Sequence, residues 1–136
     1  MAACGFQEVE HTADRALLVW GRTFVSLCRC AAEGMLHLAG LRPKDATGEW
    51  LTMEVRADDP EGLLVGWLEE LLFAVETNGV TFTDFDLDLV SSSVLVARVR
   101  VVPAFPPEKP IKAVTYHQLA ILKTARGFET TIVFDV

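Results

Sequence analysis

The spacing of hydrophobic positions changes several times along the chain, and each change marks an element. Gly5 to Glu10 and Ala16 to Gly21 read as extended, with Val9 and then Leu17, Leu18, Val19 and Trp20 as their apolar side chains. A turn, His11-Thr12-Ala13-Asp14, separates them. Arg22 and Thr23 lead into a helix of roughly fifteen residues for which Thr23 is the N-cap. Its core-facing stripe is Phe24, Leu27, Cys28, Ala31, Met35 and Leu38, near the i, i+3/i+4 spacing of an amphipathic helix. Gly40 is a natural stop.

Leu41 to Glu49 is a loop containing Pro43 and Gly48, and Trp50 to Val55 alternates as a half-buried strand does. A second helix starts at Asp58-Asp59-Pro60 and runs to about Thr77, with Asp59 as N-cap and Pro60 at the first helical position. Leu63, Leu64, Trp67, Leu68, Leu71, Leu72 and Val75 make it the central core helix, and Asn78-Gly79 ends it. Thr81 to Val90 is strand-like, with Phe82, Phe85, Leu87 and Leu89 on one face and acidic residues on the other. It pairs with Val94 to Val102 across the turn Ser91 to Ser93. Pro103 to Pro110 is an irregular, proline-rich loop, too short to link domains. Ile111 to Leu122 and Phe128 to Val136 read as a final hairpin across Arg126-Gly127. The expected fold is α+β: one domain over residues 1–136, mainly antiparallel sheet with two packed helices.

Composition narrows the function classes. With 136 residues the chain buries a real core. No apolar run approaches the roughly 18–20 residues of a membrane span. Met1 to Glu10 lacks the basic start and apolar centre of a signal peptide, so a cytoplasmic protein is expected. The net charge of −7 and the lack of a basic patch weigh against direct, strong nucleic-acid binding, while permitting divalent cations and a basic protein partner. Three cysteines, Cys4, Cys28 and Cys30, suggest free thiols in a reducing compartment. Cys28, Cys30 and His37 lack the paired spacing of a zinc site and read better as packing residues.

Few positions offer chemistry. Asp14 and Asp135 are candidate metal ligands, because a hard ion such as calcium takes several oxygens, carboxylates among them. Val136 adds a carbonyl or carboxylate oxygen if the sheet brings these positions together. On the residues alone Asp14 reads better as a turn former bonding its own backbone, and the plain reading of Asp135 is a solvent-facing position in an alternating strand, with Phe134 and Val136 facing inward. His11 and His117 are ligands, proton carriers or struts, Glu10 shares the ambiguity of Asp14, and Lys112 is a charge on a strand edge or a partner to the acidic pair. No phosphate loop, nucleophile elbow or paired-cysteine metal site is present, so nothing marks an independent enzyme.

Five stretches in register carry a resemblance. They are His11-Thr12-Ala13-Asp14, Gly21-Arg22-Thr23, Trp67-Leu68-Glu69-Glu70-Leu71-Leu72, Lys112-Ala113-Val114-Thr115-Tyr116-His117 and Phe134-Asp135-Val136. Together they resemble the archease family over essentially the whole chain. The resemblance implies a small metal-binding activator of an RtcB-type RNA ligase, acting in tRNA splicing and RNA repair. Such a protein promotes guanylylation of the ligase's active-site histidine and allows repeated turnover. It further implies Asp14 and Asp135 as metal ligands, with the backbone of Val136 contributing, Lys112 as a functional polar neighbour and His11 as support for the turn. The chain departs from the family pattern at Glu10, where aspartate is usual, and at Glu69, often asparagine. Two other readings stand beside this one: a general protein-binding module or chaperone with structural carboxylates, and a metal-dependent hydrolase acting alone.

Overall fold

A computed structural model describes residues 4–10, 14–45 and 47–136. The strands are β1 (Cys4–Val9), β2 (Arg15–Gly21), β3 (Glu49–Arg56), β4 (Val80–Ser91), β5 (Val94–Pro103), β6 (Ala113–Val114), β7 (Leu122–Thr124) and β8 (Gly127–Asp135). The helices are α1 (Phe24–Leu38), before β3, and α2 (Pro60–Asn78), before β4. The strands form two antiparallel sheets. One has the order β1-β2-β8-β6 with β7 also on β8, and the other β3-β5-β4. Helix α1 packs on β1 and β2, helix α2 on the smaller sheet and β6, and the helices touch each other. This is the α+β domain that the hydrophobic pattern predicts.

Local sequence sets the helix ends. The Thr23 hydroxyl accepts from the Ser26 amide at 3.0 Å, and the Ser26 hydroxyl accepts from the Thr23 amide at 3.0 Å, a reciprocal box that satisfies two donors. The Asp59 carboxylate accepts from the Gly62 amide at 2.6 Å, ahead of which Pro60 has no donor to lose. At the far end Gly79 takes φ 61°, a left-handed cap. Leu27, Cys28, Ala31, Met35 and Leu38 are buried, as the stripe requires, and so are Leu63, Leu64, Trp67, Leu68 and Leu71. The Trp67 indole N–H donates to the Cys28 carbonyl at 2.9 Å, joining the helices at the centre of the core. Gly34 is where α1 meets the sheet most closely. A Cβ there would lie 2.5 Å from the Leu17 side chain and 2.9 Å from the Phe6 ring.

The structure departs from the sequence reading in three places. Phe82 and Phe85 share a face although they are three residues apart, and a β-bulge between Phe82 and Asp84 resolves the mismatch by absorbing the extra residue. The segment Ile111 to Leu122 is not one strand of a hairpin. It is divided into β6 and β7, both on β8, by an irregular stretch. There the backbone turns: Leu119 N–H donates to the Tyr116 carbonyl, Gln118 has φ 51°, and the Ile121 amide donates to the Glu61 carboxylate of α2 instead of to a strand. Finally, the cysteines are not all free thiols. Cys4 on β1 and Cys30 on α1 form a disulfide, because the strand crosses the helix with their Cα atoms 6.0 Å apart. Cys28 alone is a free thiol, fully buried, and burial pushes its ionisation far up.

Candidate functional site

The five-stranded sheet places the two ends of the sequence side by side. β2 and β8 are antiparallel, from Gly21 opposite Phe128 to Arg15 opposite Phe134. The next residue beyond that register is Asp14 on one strand and Asp135 on the other, with Asp14 in a bend just ahead of β2. Phe134 is fully buried against the helices, so alternation directs Asp135 to the opposite, solvent face, and the residue is exposed. Asp14 is half-buried. Carboxylates brought together in this way offer oxygen donors to a cation or a basic partner.

Pairing on the other side of β8 brings in Lys112. Ala113 is opposite Asp135, and the Lys112 amide donates to the Asp135 carbonyl at 2.8 Å. The Thr115 amide and hydroxyl both donate to the Val133 carbonyl, at 3.0 and 2.9 Å, and hold the following residues against β8. Asp135 is therefore held by β6 as a ladder residue and not as a frayed end. The Lys112 side chain belongs to a small hollow of about 160 Å³ shared with Glu69, Leu72, Phe73, Glu76 and Ala113. There it faces α2. Val136 is 41% exposed, so it is not the inward-facing position that simple alternation gives it.

Glu10 is exposed just beyond the end of β1, and the register of β1 with β2 sets it across from Arg15. His11 lies outside the described residues. His117 is exposed, its amide donating to the Thr115 hydroxyl at 3.2 Å. Among the described residues, no three His, Cys, Asp or Glu side chains converge as a ready-made metal cage. The donors at this corner are two carboxylates with backbone oxygens around them. That all-oxygen set suits a hard divalent cation, which would keep several positions for water or another molecule's oxygens.

Arg15 was not singled out by the sequence, yet it organises the corner. Its guanidinium donates to the Leu38 carbonyl at the C-terminus of α1 and meets the Glu8 carboxylate at 3.3 Å. The orphan carbonyls and negative dipole of a helix C-terminus attract a cation, so α1 and the start of β2 are locked together directly beside Asp14. Phe73 is a second omission. It is 65% exposed on the face of α2 that also carries the exposed Glu69, Glu70 and Glu76, and it lines the Lys112 hollow. Those acidic residues, three and four positions away, were the available signal that it faces outward.

Comparison with known proteins agrees with this architecture. Residues 6–136 match the archease protein family. An archease from Methanosarcina mazei is 34% identical over 141 residues, spanning 96% of this chain and 95% of that protein. One from Methanopyrus kandleri is 33% identical over 123 residues, spanning 85% and 88%. Among solved structures, an archease from Thermotoga maritima, described as a possible chaperone, aligns with a TM-score of 0.70 at 21% identity over 96% of both chains. The solution structure of a Methanobacterium thermoautotrophicum protein aligns with a TM-score of 0.68 at 23% identity, over 97% of this chain and 99% of that one. At those identities the structural likeness establishes the fold.

Proposed function

The chain belongs to the archease family, and on that premise we propose that it is an accessory protein, not itself an enzyme, that activates an RtcB-type RNA ligase. It promotes guanylylation of the ligase and so its repeated turnover in tRNA splicing and RNA repair. What supports this reading best is the antiparallel register of β2 and β8, which ends at Arg15 and Phe134 with Asp14 and Asp135 as the next residues. Asp14 and Asp135, with a backbone oxygen of Val136, would hold a divalent cation, calcium being the best match to an all-oxygen set. When bound, such an ion neutralises triphosphate charge and charge developing during nucleotidyl transfer.

The chain's own residues do the rest by position. The β6 pairing fixes Asp135, Arg15 anchors the start of β2 to α1, and Lys112 would offer an ammonium to a partner's carboxylate or phosphate from the hollow against α2. Glu10 would belong to the partner-facing rim. A net charge of −7 suits a basic, nucleotide-binding cleft. No helix among the described residues is long and apolar enough to cross a membrane, and the same reading places the protein with its ligase in the cytoplasm.

The test is guanylylation of a cognate RtcB-type ligase with GTP and metal, with and without this protein. Wild type should stimulate, and folded Asp14→Ala and Asp135→Ala variants should lose most of the effect. Equal stimulation by the variants removes the carboxylates from the mechanism. No stimulation by wild type, together with chelator-insensitive binding of unfolded proteins, would favour the protein-binding or chaperone reading.

A further inference from the structure

We propose that Cys4 and Cys30 form a thiol–disulfide exchange site, closed by a small-molecule disulfide of the glutathione type and opened by the corresponding thiol. The pair joins two elements of unequal stability. β1 is the edge of its sheet, paired on one side only, with β2. Helix α1 is capped at its start and fully engaged in the core. An edge strand paired on one side only opens at lower cost than the core, and such opening brings a reagent to sulfurs that are only 7% and 5% exposed in the closed structure.

The surroundings of the sulfurs favour exchange. The Arg29 guanidinium lies 3.4 Å from the Cys4 sulfur, where it stabilises negative charge on that atom whether Cys4 attacks or leaves. Starting from the dithiol, the Cys4 thiolate attacks one sulfur of oxidised glutathione. A Cys4–glutathione bond forms, the glutathione disulfide bond breaks, and one glutathione thiolate leaves and takes up the proton Cys4 has lost. The Cys30 thiolate then attacks the Cys4 sulfur and expels the second glutathione in the same way. Two cysteine thiols are oxidised and one glutathione disulfide is reduced to two thiols. The third cysteine stands aside: Cys28 is fully buried, and desolvation keeps its thiol protonated. In the closed form β1 is tied to α1; in the open form it is held by the β2 ladder and the packing of Phe6 alone. Because β1 leads directly to Glu10 and on to Asp14, this modification acts on the strand that delivers the acidic turn.

The test uses the full chain equilibrated in glutathione buffers of varied ratio, quenched with a maleimide in denaturant so that every free thiol is reached, and weighed intact. The expected result is two cysteines oxidising together while one remains alkylatable. Neither Cys4→Ser nor Cys30→Ala should form an internal disulfide at any ratio. Amide exchange across Cys4–Val9 should be roughly tenfold faster in the reduced protein, with the centre of α2 unchanged. Three alkylatable thiols at every ratio would overturn the proposal. So would a disulfide that no glutathione ratio reduces, or equal exchange of β1 in both forms. These readouts require no metal and no ligase, so they stand apart from the proposed function.

Discussion

Asp135 owes its interest to its neighbours across the ladder. On the proposed reading, with Asp14 the next residue beyond the β2 register, its charge is a local cost in the metal-free protein. Asp135→Asn should leave that form unchanged or more stable by up to about 1 kcal/mol, the scale of a cross-strand charge pair. The same variant should abolish any rise in Tm on adding calcium, and thermal denaturation with and without the ion checks both halves. Loss of stability in metal-free Asp135→Asn would mean that this carboxylate is a structural partner. Deeper in the core, Trp67→Phe removes the donor to the Cys28 carbonyl and should destabilise by roughly 1–3 kcal/mol in urea unfolding, much of it from the stranded acceptor. The sequence shows that Asp14 and Asp135 are unusual residues. It does not show that they lie at the same end of one strand pair, because that placement depends on a register set by strands far apart in the chain. Arg15 escaped notice for the same reason: its partner, the Leu38 carbonyl, is a backbone group with no side-chain signature.

At the scale of elements, what is local was readable. Thr23, Asp59, Pro60 and Gly79 mark the helix ends because caps are contacts within three or four residues, and both helices start where those residues place them. Asp59→Ala should cost about 1 kcal/mol, read as a lowered urea midpoint with an unchanged m-value. What is non-local was not readable. The bulge after Phe82 appears only once β5 fixes the register of β4, and the division of β6 from β7 follows from Glu61 of α2 taking the Ile121 amide. A count of three cysteines likewise does not say which two a fold will bring together. The Cys4–Cys30 link closes 26 residues of chain, and its reduction should lower stability by about 3 kcal/mol on the chain-entropy account. Denaturant titration with and without reductant measures it.

For the whole molecule, the acidic surplus governs how it meets a partner. If the ligase presents a basic cleft, raising ionic strength from about 0.01 to 0.1 M shortens the screening length roughly threefold and should slow association much more than it changes dissociation. Stopped-flow binding at several salt concentrations separates the two rates. The fold class was legible because hydrophobic periodicity counts elements, while the strand order β1-β2-β8-β6 was not, because nothing in the pattern says that the second strand and the eighth are neighbours. That adjacency has a consequence in time. Arg15 waits for Phe134, so β2 stays without its β8 partner until both helices and the smaller sheet have been made. Those intervening elements can form first, while β2 keeps an open edge that only the late strand closes.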